Sequence, residues 1–187
     1  MVLASGVQSN AKPPIVIPPS AGGVGIYAAQ LAQLRGAGVI GTAGEANAGL
    51  LESLGIRPAR YGPGLSAQLR ELAPNGIDAY VDTFGSGNVA LAVSLGVQPQ
   101  RINTLIDQDA VQRFGVHCEA QEQADTPAIW AELAGLVASG DVTVPIAEVY
   151  DFTTEHVRRA YYEVGTRHVS GKRVLRIMSA HQQAGHS

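Results

Sequence analysis

Residues 13–25, PPIVIPPSAGGVG, contain a short apolar run followed by a turn rich in glycine. The β-branched run at 15–17 predicts a strand, and the residues after the turn, 25–34, have a helical period. A strand, a tight turn and a helix in this order aim the N–H groups of the helix N-terminus at one point, which suits a phosphate group. The prolines stand at the ends of the strand, where few ladder hydrogen bonds are lost. The stretch therefore predicts either a phosphate-binding turn or an ordinary tight turn of an α/β fold.

The helix after this turn has one face with almost no side-chain bulk. Its i, i+3, i+4 and i+7 positions are Gly25, Ala28, Ala29 and Ala32. Small residues on one stripe let a helix lie close to a sheet, so we expect this face to be buried. A cation and a glycine at positions 35 and 36 predict where the helix ends.

Strand-like runs and helical patterns alternate along most of the remaining chain. The predicted strands are residues 15–17, 38–43, 58–61, 77–82, 101–106 and 114–119, and the predicted helices are residues 25–34, 50–55, 65–72, 88–95 and 126–140, the last with Trp130 as a core residue. This alternation predicts an α/β fold with a doubly wound parallel sheet between helices, in three αβα layers. An extended run at 142–150, a helical stripe at 157–164 and a final strand at 172–177 follow.

Two glycine turns compete for the role of the phosphate site. Gly85-Ser86-Gly87-Asn88-Val89-Ala90 matches the G-x-G-x-x-A pattern, and Asp107 follows at about the usual distance of ~20 residues. Ser20-Ala21-Gly22-Gly23-Val24-Gly25 lacks the first glycine of that pattern. The dinucleotide turn of a Rossmann-type fold nevertheless follows its first strand, beside the point where the strand order reverses. We therefore predict the nucleotide at residues 20–25.

Composition narrows the classes of function. The 187 residues have a net charge of −3 and no cluster of Lys and Arg, which argues against a nucleic acid partner. Cys118 is the only cysteine, which excludes an internal disulfide and a multi-cysteine zinc site and favours a reducing compartment. The first residues have no signal-peptide pattern, and no apolar stretch reaches the ~18 residues of a membrane span. We therefore expect a cytoplasmic protein with no membrane partner.

Several segments, in order along the chain, resemble one family. They are ASGVQ (4–8), SAGGVG (20–25), VIGTAG (39–44), VDTFG (81–85) and HVSGKRVLRI (168–177), and they are similar to segments of the medium-chain dehydrogenase/reductases, in the zinc-free quinone-oxidoreductase branch. The run QRINTLIDQDAVQRFGV (100–116) resembles a variant found in actinobacterial members. In that branch a small residue commonly replaces the first glycine of the turn, as Ser20 does here.

The resemblance implies two parts of the chain. Residues 1–150 would form the Rossmann-type dinucleotide-binding domain, and residues 151–187 a helix and strand that in the family cross back to a catalytic barrel. That GroES-like barrel precedes the nucleotide domain in the family, and we expect it to be absent here. The chain is then either a fragment of a split or truncated enzyme, with the barrel as a separate domain or protein, or a stand-alone nucleotide domain.

The end of the second strand bears on the choice of cofactor. Rossmann proteins that prefer NAD place an acid there, whereas this chain has Thr42, Ala43 and Gly44, which leave room for a 2′-phosphate. The resemblance also implies NADPH, and it matches Tyr61 to a tyrosine near the adenosine phosphate. Arg60 could supply a cation for that phosphate, although Glu45 would repel it unless it turned away. We expect NADPH, with NADH as the less favoured alternative.

The resemblance also implies contacts near the nicotinamide. The family's contact points fall on two loops and one lysine: Thr83, Phe84 and Gly85, then Asn103, Thr104 and Leu105, and finally Lys172. The loops follow the fourth and fifth predicted strands, and the carboxyl ends of strands are where ligands bind in open α/β sheets. Neither the five histidines nor Cys118 has the spacing of metal ligands, so we expect no metal site. The sequence identifies no catalytic acid.

The predicted activity is transfer of hydride from NADPH to a quinone or an α,β-unsaturated carbonyl, which are small-molecule substrates. A short-chain dehydrogenase is disfavoured because neither lysine has a tyrosine four residues before it. The alternative class is a binding module that holds NADP(H), or mediates association, without catalysis. Members of the family commonly dimerise through an edge strand of this domain, so the resemblance implies a homodimer formed near residues 114–119.

Overall fold

The computed structural model describes residues 13–119, 126–166 and 171–177. Its strands are β1 (Ile15–Ile17), β2 (Val39–Ala43), β3 (Arg57–Arg60), β4 (Ala79–Asp82), β5 (Ile102–Thr104), β6 (Ile146–Asp151) and β7 (Lys172–Arg176). Its α-helices are α1 (Gly25–Leu34), α2 (Ala48–Ser53), α3 (Leu65–Leu72), α4 (Asn88–Ser94), α5 (Gln108–Phe114), α6 (Pro127–Ser139) and α7 (Thr154–Gly165). The segment at 4–8 and the start of the segment at 168–177, both used in the resemblance, lie outside the described residues.

The first five strands form one parallel sheet in the order β3-β2-β1-β4-β5. β1 is central and pairs with β2 on one side and with β4 on the other. The chain therefore builds the sheet outward in one direction, returns across it after β3, and builds outward again. The predicted α/β fold, a Rossmann-type doubly wound sheet, is confirmed. Strand order reverses between β1 and β4, so the turn after β1 lies at the switch point of the sheet.

Two apolar cores cover the two faces of this sheet. On one face α1 and α2 pack around Ile17, Val39, Leu51 and Ile56. On the other, α3 and α4 pack around a larger set that consists of Val16, Ile40, Leu69, Tyr80, Val89 and Ile102 together with smaller neighbours. Adjacent residues of β1 contribute to opposite cores, as the alternation of side chains along a strand requires. The sheet is thus buried on both faces, which fixes the positions of its strand ends.

The predicted small face of α1 is confirmed. Ala29 is fully buried, and Ala28 and Ala32 pack against the core beneath α1 and α2. A second side of α1 is also covered, because Gln30 is buried and its amide bonds both backbone groups of Thr143. α1 therefore lies between the main sheet and the C-terminal part of the chain.

The C-terminal elements form a second, two-stranded parallel sheet. β6 pairs with β7, and α7 connects them. Besides the Gln30–Thr143 bonds, the N–H of Gly171 donates to the Ala21 carbonyl at 3.4 Å, so this unit contacts the glycine turn directly. β6 runs across the predicted domain boundary after residue 150, and the boundary itself stays a prediction.

The structure differs from the sequence predictions in three places. A helix, α5, was not predicted; Asp107 caps it by accepting from the Ala110 N–H at 3.0 Å, and Phe114, predicted as strand, is its last residue. Residues 115–119 lie beside β5 at the sheet edge but share one isolated bridge with it, through His117. Trp130, predicted in the core, is 61% exposed, because α6 buries none of its residues. An apolar helical pattern does not show by itself whether its face is covered.

No helix in the described part of the chain is long and apolar enough to cross a bilayer.

Candidate nucleotide-binding site

The turn after β1 depends on glycine at Gly25. A Cβ atom at Gly25 would lie 2.0 Å from the Pro19 carbonyl oxygen, a distance that no side chain can occupy. The turn is therefore folded tightly against the first residue of α1. Close approach of this kind is the role of the last glycine in a dinucleotide-binding turn, where it lets the helix start directly behind the strand.

Ser20 occupies the first position of the turn and is fully buried. Its hydroxyl donates to the Ile17 carbonyl, and its N–H donates to the Thr42 carbonyl at 2.9 Å. The space for its side chain comes from β2, because a Cβ at Gly41 would lie only 2.6 Å from the Ser20 Cβ. A glycine missing from the turn is thus compensated by a glycine on the neighbouring strand.

The N-terminus of α1 is left open by its own sequence. No side chain caps it, and its first turn contains no acidic residue. The Ile26 N–H bonds the Gly22 carbonyl, so the N–H groups of residues 23–25 precede this bond at the positive end of the helix. Such an end favours an anion, and it faces the switch point of the sheet.

Lys172 reaches this turn from the distant β7. Its Nζ donates to the Gly23 carbonyl at 3.0 Å and lies 5.2 Å from the centre of the Tyr27 ring. Burial raises the pKa of the Tyr27 hydroxyl, so that phenol stays neutral beside the ammonium group. Within the described residues no carboxylate forms an ion pair with Lys172. The lysine therefore adds a positive charge to the turn at 20–25.

The ends of β2 and β3 meet beside the turn. Thr42 and Ala43 are buried, and a Cβ at Gly44 would lie 2.9 Å from the Tyr61 hydroxyl, so the tyrosine lies against this glycine. Arg60 and Glu45 form an exposed ion pair, with Nη1 3.2 Å from Oε2. The glutamate that was expected to repel a phosphate is thus neutralised by the arginine expected to bind one.

A fully buried carboxylate, missed from the sequence, organises the loop after β4. Asp82 ends that strand and accepts from the N–H of Phe84 at 3.0 Å and from the N–H of Gly85 at 2.8 Å. The neighbouring Thr83 bonds the Pro18 carbonyl through its hydroxyl at 2.9 Å and its N–H at 3.1 Å. The predicted contact residues 83–85 are therefore held in place at the carboxyl edge of the sheet.

The predicted contact residues 103–105, which lie at the end of β5 and directly after it, have internal partners. The Thr104 hydroxyl is buried and donates to Asp82 Oδ2 at 2.8 Å, and the Leu105 N–H donates to the Asp82 carbonyl at 2.9 Å. The Asn103 amide bonds both backbone groups of Glu119 in the edge segment. These side chains hold the loop in place, and none of them lines the cleft described next.

A cleft of about 620 Å³ opens at the carboxyl ends of β1, β2, β3 and β4. It is lined by Pro18, Pro19, Thr42, Tyr61, Gly62, Gly64, Leu65, Ser66, Phe84, Ser86, Gly87, Asn88 and Leu91. Three of these residues, Thr42, Tyr61 and Phe84, are among the predicted contacts, and most of the others lie in loops, which have no periodic signal. The competing glycine turn at 85–90 lines this cleft through Ser86, Gly87 and Asn88, whereas the turn at 20–25 directly follows the lining residues Pro18 and Pro19. Both turns therefore lie beside the same cleft.

The cleft has few side chains that could exchange a proton. Its lining is apolar rings and small polar groups, and its one titratable side chain among the described residues is Tyr61. No group of His, Cys, Asp and Glu in the described ranges is arranged to hold a metal ion. The volume falls in the range of small-molecule and cofactor pockets. A planar ring could lie between the apolar walls while an anion contacted the adjacent turn.

Several solved structures have a similar fold. The quinone oxidoreductase from Coxiella burnetii matches 90% of this chain and 54% of its own, with a TM-score of 0.74 and 20% identity. An NAD-dependent alcohol dehydrogenase matches 90% of this chain and 52% of its own, with a TM-score of 0.72 and 20% identity. CurA from Vibrio vulnificus, solved in complex with NADPH, matches 92% of this chain and 59% of its own, with a TM-score of 0.70 and 16% identity.

These similarities define the fold of the chain. The expected likeness to the medium-chain dehydrogenase/reductases is confirmed by these structures as a likeness of fold. At 16 to 20% identity it goes no further, and the chain spans 52 to 59% of the length of the three proteins. No protein-family model and no curated protein matches the sequence.

Proposed function

We propose that this chain is the cofactor-binding part of an NADPH-dependent, zinc-independent oxidoreductase of the medium-chain dehydrogenase/reductase superfamily, in its quinone-oxidoreductase-like branch. The observation that carries the proposal is the turn at 20–25. It lies at the switch point of a doubly wound sheet, opens an uncapped helix, and borders a cleft of about 620 Å³. Dinucleotides bind at such a point in this class of fold.

The residues present fit a dinucleotide along this edge. The pyrophosphate would contact the N–H groups of residues 23–25 and the Lys172 ammonium group. Thr42, Ala43 and Gly44 would face the adenosine ribose, and the adenine ring would lie in the cleft beside Tyr61. The nicotinamide would extend past residues 83–85 toward the end of β5.

NADPH is the proposed cofactor because β2 ends without an acidic residue and an arginine lies at the end of the neighbouring strand β3. Ala43 stands where NAD-preferring proteins place an acid, and Arg60, the last residue of β3, precedes Tyr61. The arginine is exposed and its partner Glu45 is more so, so a 2′-phosphate could replace that carboxylate at little cost. NADH, whose 2′-hydroxyl could donate to Glu45, is the alternative.

The nicotinamide, when bound, supplies the hydride, for which we propose a quinone or an α,β-unsaturated carbonyl as acceptor. The residues of this chain orient the dinucleotide and cover one side of it with apolar rings. Pro18, Pro19 and Phe84 would exclude water from the strand ends. No side chain in the cleft is proposed as a proton donor.

The rest of the proposal follows the sequence resemblance. A barrel domain or separate protein would complete the substrate pocket, and the chain would form a homodimer through the edge at 114–119. The single cysteine favours a cytoplasmic location. Residues 151–187 would make the connection toward the barrel.

A second function is favoured by the lining of the cleft. A site with Tyr61 as its one titratable side chain in the described residues suits binding better than acid–base chemistry. The chain would then be a module that holds NADP(H), or mediates association, without turnover of its own.

The test measures oxidation of NADPH by the purified chain with a quinone or an enone as acceptor. Acceptor-dependent oxidation is expected for the enzyme, and NADPH binding without oxidation would favour the module. Arg60→Ala should weaken NADPH binding by about tenfold and leave NADH within about twofold. Arg35→Ala, which removes an exposed arginine at the far end of α1, is the matched control. Equal losses for both nucleotides would contradict the role of Arg60.

A further inference from the structure

Asp82 is a buried charge without a cationic partner among the described residues. Asp82 is fully inaccessible to solvent, and its two carboxylate oxygens accept five hydrogen bonds of 2.8 to 3.0 Å. A carboxylate in such a place is costly, and a well-packed apolar residue commonly serves stability as well or better. The geometry of its donors indicates what the carboxylate contributes instead.

The donors come from three separate elements at the carboxyl edge. The backbone N–H groups of Phe84 and Gly85 come from the loop after β4, the Asn88 amide from the first residue of α4, and the Thr104 hydroxyl from the end of β5. The Thr104 oxygen in turn accepts from the N–H of Asp107 at 3.1 Å. One side chain therefore fixes the loops after two strands relative to each other.

The loop that Asp82 holds has a backbone that needs such support. Gly85, Ser86 and Gly87 are consecutive left-handed residues, with φ of 78°, 55° and 83°. Ser86 is the one non-glycine residue with positive φ in the described chain, a conformation that L side chains seldom adopt. Phe84, Ser86 and Asn88 from this loop line the cleft.

We propose that Asp82 is a positioning residue for dinucleotide binding: its buried carboxylate holds the 84–88 wall of the cleft and the 104–107 loop in the geometry that the ligand needs. This inference rests on the proposed function, because it takes the cleft and its neighbouring loops as the cofactor site. It assigns to Asp82 no contact with the ligand.

The test compares NADPH affinities of folded variants at a temperature where circular dichroism shows each to be native. In Asp82→Asn the new NH₂ group must face N–H donors, so the loop should move and the Kd should rise by about tenfold or more. Thr104→Val, which removes one donor, should also weaken binding, and Thr104→Ser should restore it to within about threefold of the wild type. Leu51→Ala, a buried change on the opposite face of the sheet, is the control for lost stability alone.

The outcomes separate this inference from the proposed function. If the wild type binds NADPH and Asp82→Asn binds it within about twofold, Asp82 is only a structural residue and the inference is wrong. Equal weakening by Leu51→Ala would overturn it too. If Asp82→Asn does not fold, the two Thr104 variants test the inference. Thr104→Val that binds NADPH as tightly as Thr104→Ser would then show that the inference is wrong. If the wild type binds neither NADPH nor NADH, the proposed function fails and the inference fails with it.

Discussion

At the scale of single residues, the turn depends on backbone contacts that admit no side chain at Gly25. Gly25→Ala should lower the free energy of unfolding by about 2 kcal/mol or more, because its Cβ would meet the Pro19 carbonyl at 2.0 Å. It should also weaken NADPH binding, since the turn must move. Chemical denaturation and a binding titration measure the two effects.

Gly135→Ala is the matched control for that change. Gly135 lies within α6, with open space where its Cβ would be, so alanine should stabilise the helix by up to about 1 kcal/mol. Comparable destabilisation by both substitutions would show that the fit at Gly25 is not the cause.

Among the described residues, Tyr80 is the largest fully buried side chain, and its hydroxyl has no hydrogen-bond partner there. Tyr80→Phe should therefore leave the free energy of unfolding unchanged or raise it by up to about 1 kcal/mol.

Burial, and secondarily the Asp82 charge, raise the pKa of Tyr80 above its ordinary value of 10.0. The wild type should thus lose stability as pH rises above about 10, where the unfolded chain ionises first, and the variant should lose less. Tyr150→Phe, which removes a hydroxyl bonded to Glu163, should instead destabilise the protein.

At the scale of elements, the C-terminal sheet and α7 are joined through Glu163. Its carboxylate accepts from the Tyr150 hydroxyl at 2.5 Å, from Arg159 at 2.8 Å and from Arg173 at 2.6 Å. These hydrogen bonds, the one from Tyr150 foremost, lower the pKa of Glu163 from 4.5 to about 2. One side chain therefore connects β6, α7 and β7.

Glu163→Gln should destabilise this unit at neutral pH and change its response to acid. Because the pKa is lower in the folded state, the stabilisation is present above pH 4.5 and is lost as pH falls toward about 2. Thermal unfolding across that range should show a smaller loss in the variant than in the wild type. Glu52→Gln, on the exposed side of α2, should retain the wild-type slope, and an unchanged slope in Glu163→Gln would contradict the assignment.

Elements with a strong local signal were predicted from the sequence. The bounds of α1 and α3 follow from apolar spacing and glycine stops, and α6 begins where Thr126 accepts from the Ile129 N–H. α5 was missed because seven residues give too short a period, although Asp107 carried a capping signal. The hydrogen bond between Thr104 and Asp82 joins residues that are 22 positions apart, and the bond between Lys172 and Gly23 joins residues that are 149 positions apart. No local sequence pattern encodes such long-range pairings.

At the scale of the molecule, the edge beside β5 is the proposed dimer contact. Residues 115–119 extend the sheet there through the His117 bridge, and an exposed edge can pair with a second copy. Sedimentation should give the mass of a dimer. Cys118→Pro, which removes a backbone N–H next to the inward-bonded His117, should yield a monomer, whereas Cys118→Ser should stay dimeric. A monomeric wild type would contradict the proposal.

The turn after β1 and the adjoining cleft are the proposed NADPH site. Isothermal titration of the wild-type chain with NADPH tests this proposal, with Gly25→Ala titrated in parallel. We expect saturable binding of one NADPH per chain, tighter than the binding of NADH and weaker in Gly25→Ala. No saturable binding to the wild type, or equal binding by Gly25→Ala, would contradict it.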